Sequence, residues 1–172
     1  ESQAAGISII HQELNMMNHL TVAQNIYIGR EPKKGIFIDD KKMIEDAQKL
    51  FEHIGVNIDP SVKLGSLTVG KQQMVEIAKA VSHESRILVL DEPTAALDAI
   101  AEQEIFNQFD RLRGNKTTIF VSHRLSSATI ADKIIVLNYG EIVEMGKHRE
   151  LLDLNGKYAE LFNAQAKHYI EK

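Results

Sequence analysis

The 172-residue chain has no cysteine and no tryptophan, and only 6% of its residues are aromatic. Without thiols it can form no disulfide, no thiolate metal site and no cysteine nucleophile, a composition that fits a reducing compartment. No apolar run approaches the roughly 20 residues that a bilayer-spanning helix needs, and Glu1-Ser2-Gln3 opens nothing like a secretory leader. Any membrane role is therefore expected to come through a partner. The formal charge of −4 provides no broad basic surface, so nucleic acid is not an expected partner. What remains, 44% hydrophobic and 26% charged, is ordinary for a globular protein, and the length suits one compact domain with at most a small subdomain.

The apolar pattern changes period along the chain. Gly6-Ile7-Ser8-Ile9-Ile10 reads as a short buried strand. Thr21 can cap a helix through Ile28, and Asp39 or Asp40 can cap a second that buries Met43, Ala47, Leu50, Phe51 and Ile54 before Gly55 ends it. Met74, Ile77, Ala78 and Val81 mark one face of a third helix. Ile87-Leu88-Val89-Leu90 reads as a strand buried on both faces that ends in Asp91-Glu92-Pro93. A helix through Ala101, Ile105, Phe109 and Leu112 stops at Gly114, and a β-branched strand from Thr117 to Val121 ends in Ser122-His123. Strand, helix, strand implies a parallel sheet. A hairpin of Lys133–Leu137 and Glu141–Glu144 follows, then a closing helix through Tyr158, Leu161, Phe162 and Gln165.

Two stretches carry chemistry. Gly65-Ser66-Leu67-Thr68-Val69-Gly70-Lys71-Gln72 fits the phosphate-loop pattern G-x-x-x-x-G-K-[ST] until its last place, where Gln72 offers no hydroxyl for a metal. No buried strand leads into it either, because Asp59-Pro60-Ser61 interrupts the run. The second is the apolar strand ending in Asp91-Glu92. Adjacent carboxylates at the end of a parallel strand can hold hydrated Mg²⁺ and orient or deprotonate an attacking water, or they can simply end a strand.

The order of motifs decides between these readings. Gln12 follows the first strand, Leu67-Thr68-Val69-Gly70-Lys71 precedes the acidic strand, Ala95-Ala96-Leu97-Asp98 follows it, and His123 closes the next one, across about 112 residues. This series resembles the ATP-binding-cassette (ABC) transporter ATPases, with their glutamine loop, L-S-G-G-Q signature loop, acidic strand and terminal histidine. Val69 and Lys71 depart from the signature consensus. The resemblance implies an α/β fold of the phosphate-loop NTPase type, a parallel sheet with an inserted helical subdomain. Its expected parts are a core start with the glutamine loop at residues 1–14, a helical subdomain at 15–82 ending in the signature loop and its helix, and the α/β core at 83–172.

The resemblance also implies roles. Asp91 and Gln12 would serve Mg²⁺, Glu92 the attacking water and His123 the γ-phosphate. Thr68, Val69, Gly70 and Lys71 would meet ATP held by the opposite subunit of a head-to-tail pair, and Asp98 would cross that interface. The implied partners are a second ATPase domain and transmembrane permease subunits or domains, at the cytoplasmic face of the membrane. The other histidines share no metal-ligand spacing. Lys33-Lys34 and Lys41-Lys42 read as solvated faces, and Met16-Met17 as core or as part of a groove for the membrane partner.

A genuine phosphate loop is expected upstream of Gln12, and only eleven residues stand there. The chain is thus expected to be the carboxyl-terminal two thirds of an ABC ATPase domain, inactive and association-prone by itself. The alternative is a catalytically silent docking or regulatory piece. The stretch from Gly6 to about Glu84 resembles monosaccharide importers of the ribose and galactose type. From Ala95 onward the chain resembles exporter ATPases, including those of peptide and bacteriocin exporters. Either the chain is a mosaic joined within Asp91-Glu92-Pro93-Thr94, or one lineage mixes these features.

Overall fold

The protein is described by a computed structural model that covers residues 6–10, 16–83, 85–91, 116–122 and 127–170. It forms two compact units, Glu1–Val121 and Ser122–Lys172. Each has its own apolar cluster.

In the first unit, β1 (Ile7–Ile10), β4 (Ile87–Asp91) and β5 (Thr117–Val121) form a parallel sheet in the order β1-β4-β5. The insertion after β1 begins with α1 (Val22–Tyr27), fixed at its start by a reciprocal pair of bonds: the Thr21 hydroxyl accepts from the Gln24 amide, and the Gln24 side chain accepts from the Thr21 amide. A hairpin of two-residue strands follows, β2 (Lys33–Lys34) and β3 (Phe37–Ile38). It was not anticipated, because two residues per strand are too few to show alternation.

Helix α2 (Asp40–Ile54) starts where Asp39 accepts from the Lys42 amide and ends at Gly55. Gly55 has φ 71°, a left-handed cap in which its N–H returns to the Phe51 and Glu52 carbonyls. Met43, Ala47, Phe51 and Ile54 are buried at the expected spacing, while Leu50 is only half-buried.

Two expectations are corrected here. In α3 (Val69–Val81) burial is not confined to one stripe: Gln73 to Ala78 are all buried, and Val81 is half-buried. The helix sits between α1 and β1 and so is covered on more than one side. Strand β4, in turn, is not sealed on both faces. Leu88 and Leu90 are wholly buried, but Ile87 and Val89 are half-buried, and on their face Ile9, Ile119 and Val121 remain 44%, 48% and 49% exposed. That face is apolar and open to water, an unusual state for a parallel sheet.

In the second unit, β6 (Ile134–Asn138) and β7 (Glu141–Gly146) pair antiparallel through a two-residue turn with Tyr139 at φ 50° and Gly140 at φ 84°. Two helices follow, α4 (His148–Asp153) and α5 (Lys157–Ile170). Only α5 was expected, since six residues of α4 are too short to show a helical stripe. Glu144 of β7 accepts from the Lys157 and Tyr158 amides at the start of α5. A side chain on Gly156 would collide with that carboxylate. The expected helix over Ala101–Leu112 lies outside the described residues.

Candidate functional site

Strand register assembles the first part of the site. Ile10 lies beside Leu90, Leu90 beside Phe120, and Asp91 beside Val121. Because all three strands run in parallel, their carboxyl ends share one sheet edge. From that edge the chain continues toward Gln12, Glu92 and His123, which lie outside the described residues, as does Asp98. Asp91 is the last residue of β4 and is exposed there. Ligands of open α/β sheets characteristically lie outside this edge. The oxygen donors of Asp91 suit a largely hydrated Mg²⁺. Among the described residues no group of three or more His, Asp or Glu side chains could hold a metal, so an ion at Asp91 would complete its shell with water, phosphate or further residues.

The second part is the start of α3. Thr68 stands at the N-cap with φ −63° and ψ 155°, its hydroxyl making no capping bond, and the first turn holds no acid. The Gln72 amide donates to the Thr68 carbonyl at 2.9 Å, so the amides of Val69, Gly70 and Lys71 precede the helical ladder and have no acceptor within it. Thr68, Val69 and Lys71 are exposed. The Gln72 side chain folds back to the Leu67 carbonyl at 2.9 Å and does not join this surface. A hydroxyl, three unpaired amides and an ammonium at a helix start favour an anion.

Two residues near this loop carry more than the sequence suggested. Gly65, met in the sequence only as the first residue of the phosphate-loop-like pattern, lies so close to Asn18 that an added Cβ would stand 3.1 Å from both the Asn18 Cβ and its carbonyl oxygen. Asn25, unnoticed in the sequence, is 1% exposed and has its side-chain amide fully engaged. A polar residue between the buried Val22 and Ile26 of α1 was the only available sign. Of the methionine pair, Met16 packs against the main core and Met17 is exposed.

Cations hold the opposite end of α3. The Arg30 guanidinium donates to the Ser82 carbonyl at 3.0 Å, the Ile26 carbonyl at 2.8 Å and the Ser82 hydroxyl. The Lys116 ammonium donates to the Val81 and His83 carbonyls at 2.8 and 3.2 Å. These groups meet carbonyls at and beyond the end of α3 and, at Ile26, in the last turn of α1 that the helices themselves cannot pair. Burial lowers the pKa of both Arg30 and Lys116. His83 is held below 6.5 first by burial and then by the charges of Arg30, Lys79 and Lys116.

A parallel α/β sheet with an acid at its central strand end, joined to an insertion that ends in an anion-suited helix start, defines a nucleotide-binding class of protein. The profile described as "ABC transporter" matches residues 1–95, and the chain belongs to that family. Among relatives, it is 47% identical over 142 residues to "Putative ribose/galactose/methyl galactoside import ATP-binding protein 3" of Burkholderia cenocepacia (strain HI2424), covering 81% of this chain and 28% of the relative. It is 49% identical over 146 residues to the protein numbered 2 of the same strain, covering 83% and 28%. Among solved structures it resembles a bacterial Atm1-family ABC exporter with ATP bound, with 30% identity, a TM-score of 0.72, and coverage of 95% of this chain and 29% of that one. The chain thus spans under a third of the length of these relatives. With coverage this high, both the importer and the exporter matches run across residues 91–94. Neither is confined to one half of the chain.

Proposed function

We propose that this chain is part of the ATP-binding and ATP-hydrolysing subunit of an ABC transporter. The reading is supported by the shared carboxyl edge of the parallel sheet, where register sets Asp91 at the end of its central strand. Asp91 and Gln12 would hold Mg²⁺, which would supply positive charge to neutralise the transferring phosphate. Glu92 orients the attacking water and accepts its proton, and His123 donates a hydrogen bond to the γ-phosphate. Thr68, Val69, Gly70 and Lys71 present the start of α3 to the nucleotide of a second ATPase domain in a head-to-tail pair, and Asp98 crosses between the two. No helix among the described residues is long and apolar enough to cross a membrane. In this reading transport runs through permease partners, with the ATPase at the cytoplasmic face. Identities of 47–49% to proteins named for ribose and galactose import, against 30% to an exporter, favour monosaccharide uptake.

The test mixes the chain with a complementary segment carrying a phosphate loop upstream of Gln12 and measures phosphate release, with Glu92→Gln as control. Turnover in the mixture that falls about 10²-fold or more in Glu92→Gln supports hydrolysis at this site. Equal release from both, or none from either, refutes it; a folded, nucleotide-binding mixture without turnover points instead to a silent docking module.

A further inference from the structure

We propose that Asn25 and Gly65 are positioning residues that fasten residues 17–21, which follow Gln12 in sequence, to residues 63–65, which lead into Thr68–Lys71, so that these two segments move as one body. The proposal rests on the reading of Gln12 and Thr68–Lys71 given above. Asn25 Oδ1 accepts from the Met17 amide at 2.8 Å, while its Nδ2 donates to the Met17 and Thr21 carbonyls, each at 3.0 Å. Both backbone polar groups of one residue, the N–H and the C=O of Met17, are thus held by a single buried side chain. Turning its amide over would set donor against donor and acceptor against acceptor.

The adjoining residues are bonded across to a distant stretch of sequence. The Gly65 amide donates to the Asn18 carbonyl and the Leu64 amide to the Leu20 carbonyl, both at 3.0 Å, and Thr21 bridges antiparallel to Lys63. Gly65 eases this approach, because a Cβ there would press within 3.1 Å of Asn18 and force it to give way by a few tenths of an ångström. From Leu64 the line continues: the Leu67 amide donates to the Leu64 carbonyl at 3.0 Å, and Gln72 Nε2 donates to the Leu67 carbonyl at 2.9 Å. Hydrogen bonds therefore run from Met17 to the first turn of α3 through two adjoining backbone segments. A displacement of either segment is delivered to the other through contiguous bonds.

The test is amide hydrogen exchange on the full 172-residue chain without nucleotide. Two variants strike the link from opposite sides: Asn25→Ala removes the side-chain bonds, and Gly65→Ala wedges the backbones apart. In both, exchange at Met17, Leu67 and Gln72 is expected to rise roughly tenfold, while the β4 amides stay within about twofold of the parent. Thr21→Val, which removes the hydroxyl of the α1 cap but keeps the carbonyl that Asn25 uses, should leave Leu67 and Gln72 unchanged. If Asn25→Ala does not fold, the milder Gly65→Ala decides. Unchanged exchange at Leu67 and Gln72 in Gly65→Ala, or equal acceleration in Thr21→Val, overturns the proposal. Because no nucleotide is needed, that result rejects the linkage alone, whereas absent turnover in the ATPase experiment rejects the reading on which it rests.

Discussion

Replacing Lys116 by Met is expected to loosen α3 at its carboxyl end. The change keeps most of the apolar stem but deprives the Val81 and His83 carbonyls of an ammonium at 2.8 and 3.2 Å. Two charge-assisted bonds in a buried site are worth about 1.5–3 kcal/mol each. Lys116 is only half-buried, and burial disfavours its cation. Water can also reach the vacated carbonyls, so screening reduces the expected loss to about 1–2 kcal/mol. For a chain of this size that lowers Tm by roughly 2–8 °C, readable by circular dichroism. A second readout separates charge from packing. The Lys116 charge helps hold His83 below 6.5, so its removal should raise the His83 pKa, followed by ring resonances in an NMR titration. A Tm change under about 1 °C together with an unmoved His83 titration would refute this account of the helix terminus.

Two further outcomes follow from the same kind of accounting. His83 has a folded pKa below its ordinary 6.5, so the unfolded chain takes up the proton first as pH falls. Its contribution to stability is complete above 6.5 and is lost as pH drops through the folded value; His83→Gln should therefore flatten the acid limb of a Tm-against-pH curve, and an unchanged limb contradicts this. In the second unit, Glu144→Ala strips the Lys157 and Tyr158 amides of their acceptor and should cost about 1–2 kcal/mol in urea unfolding monitored within that unit; an unchanged midpoint would show that water replaces the cap without loss.

Local chemistry was the legible part of the fold. Thr21, Asp39 and Gly55 each announce a helix end by what their own atoms can do, and the structure uses all three in that way. The apolar runs at Ile7–Ile10 and Ile87–Leu90 marked the strands, but no run tells how much of a strand its neighbours will cover, which is why the Ile87 and Val89 face was misjudged. Gly65 shows a different limit: its role depends on Asn18, far away in sequence, and glycine looks the same in a linker as in a close approach. Arg30 and Lys116 were equally silent, since surface cations and helix-terminus cations differ only in which carbonyls lie nearby. For the candidate site, the order of Gln12, Asp91-Glu92 and His123 could be read directly. That their strands end side by side needed the register.

The way Gln72 turns back onto the Leu67 carbonyl bears on how this loop can change over generations. With that side chain committed to the loop's own backbone, an anion meeting the start of α3 is received chiefly by main-chain amides, which every residue except proline supplies. Such a surface tolerates drift at Val69 and Lys71, where this sequence departs from the L-S-G-G-Q signature, so long as the helix begins at the same residue. Selection would act there on the starting point of a helix more than on the side chains around it.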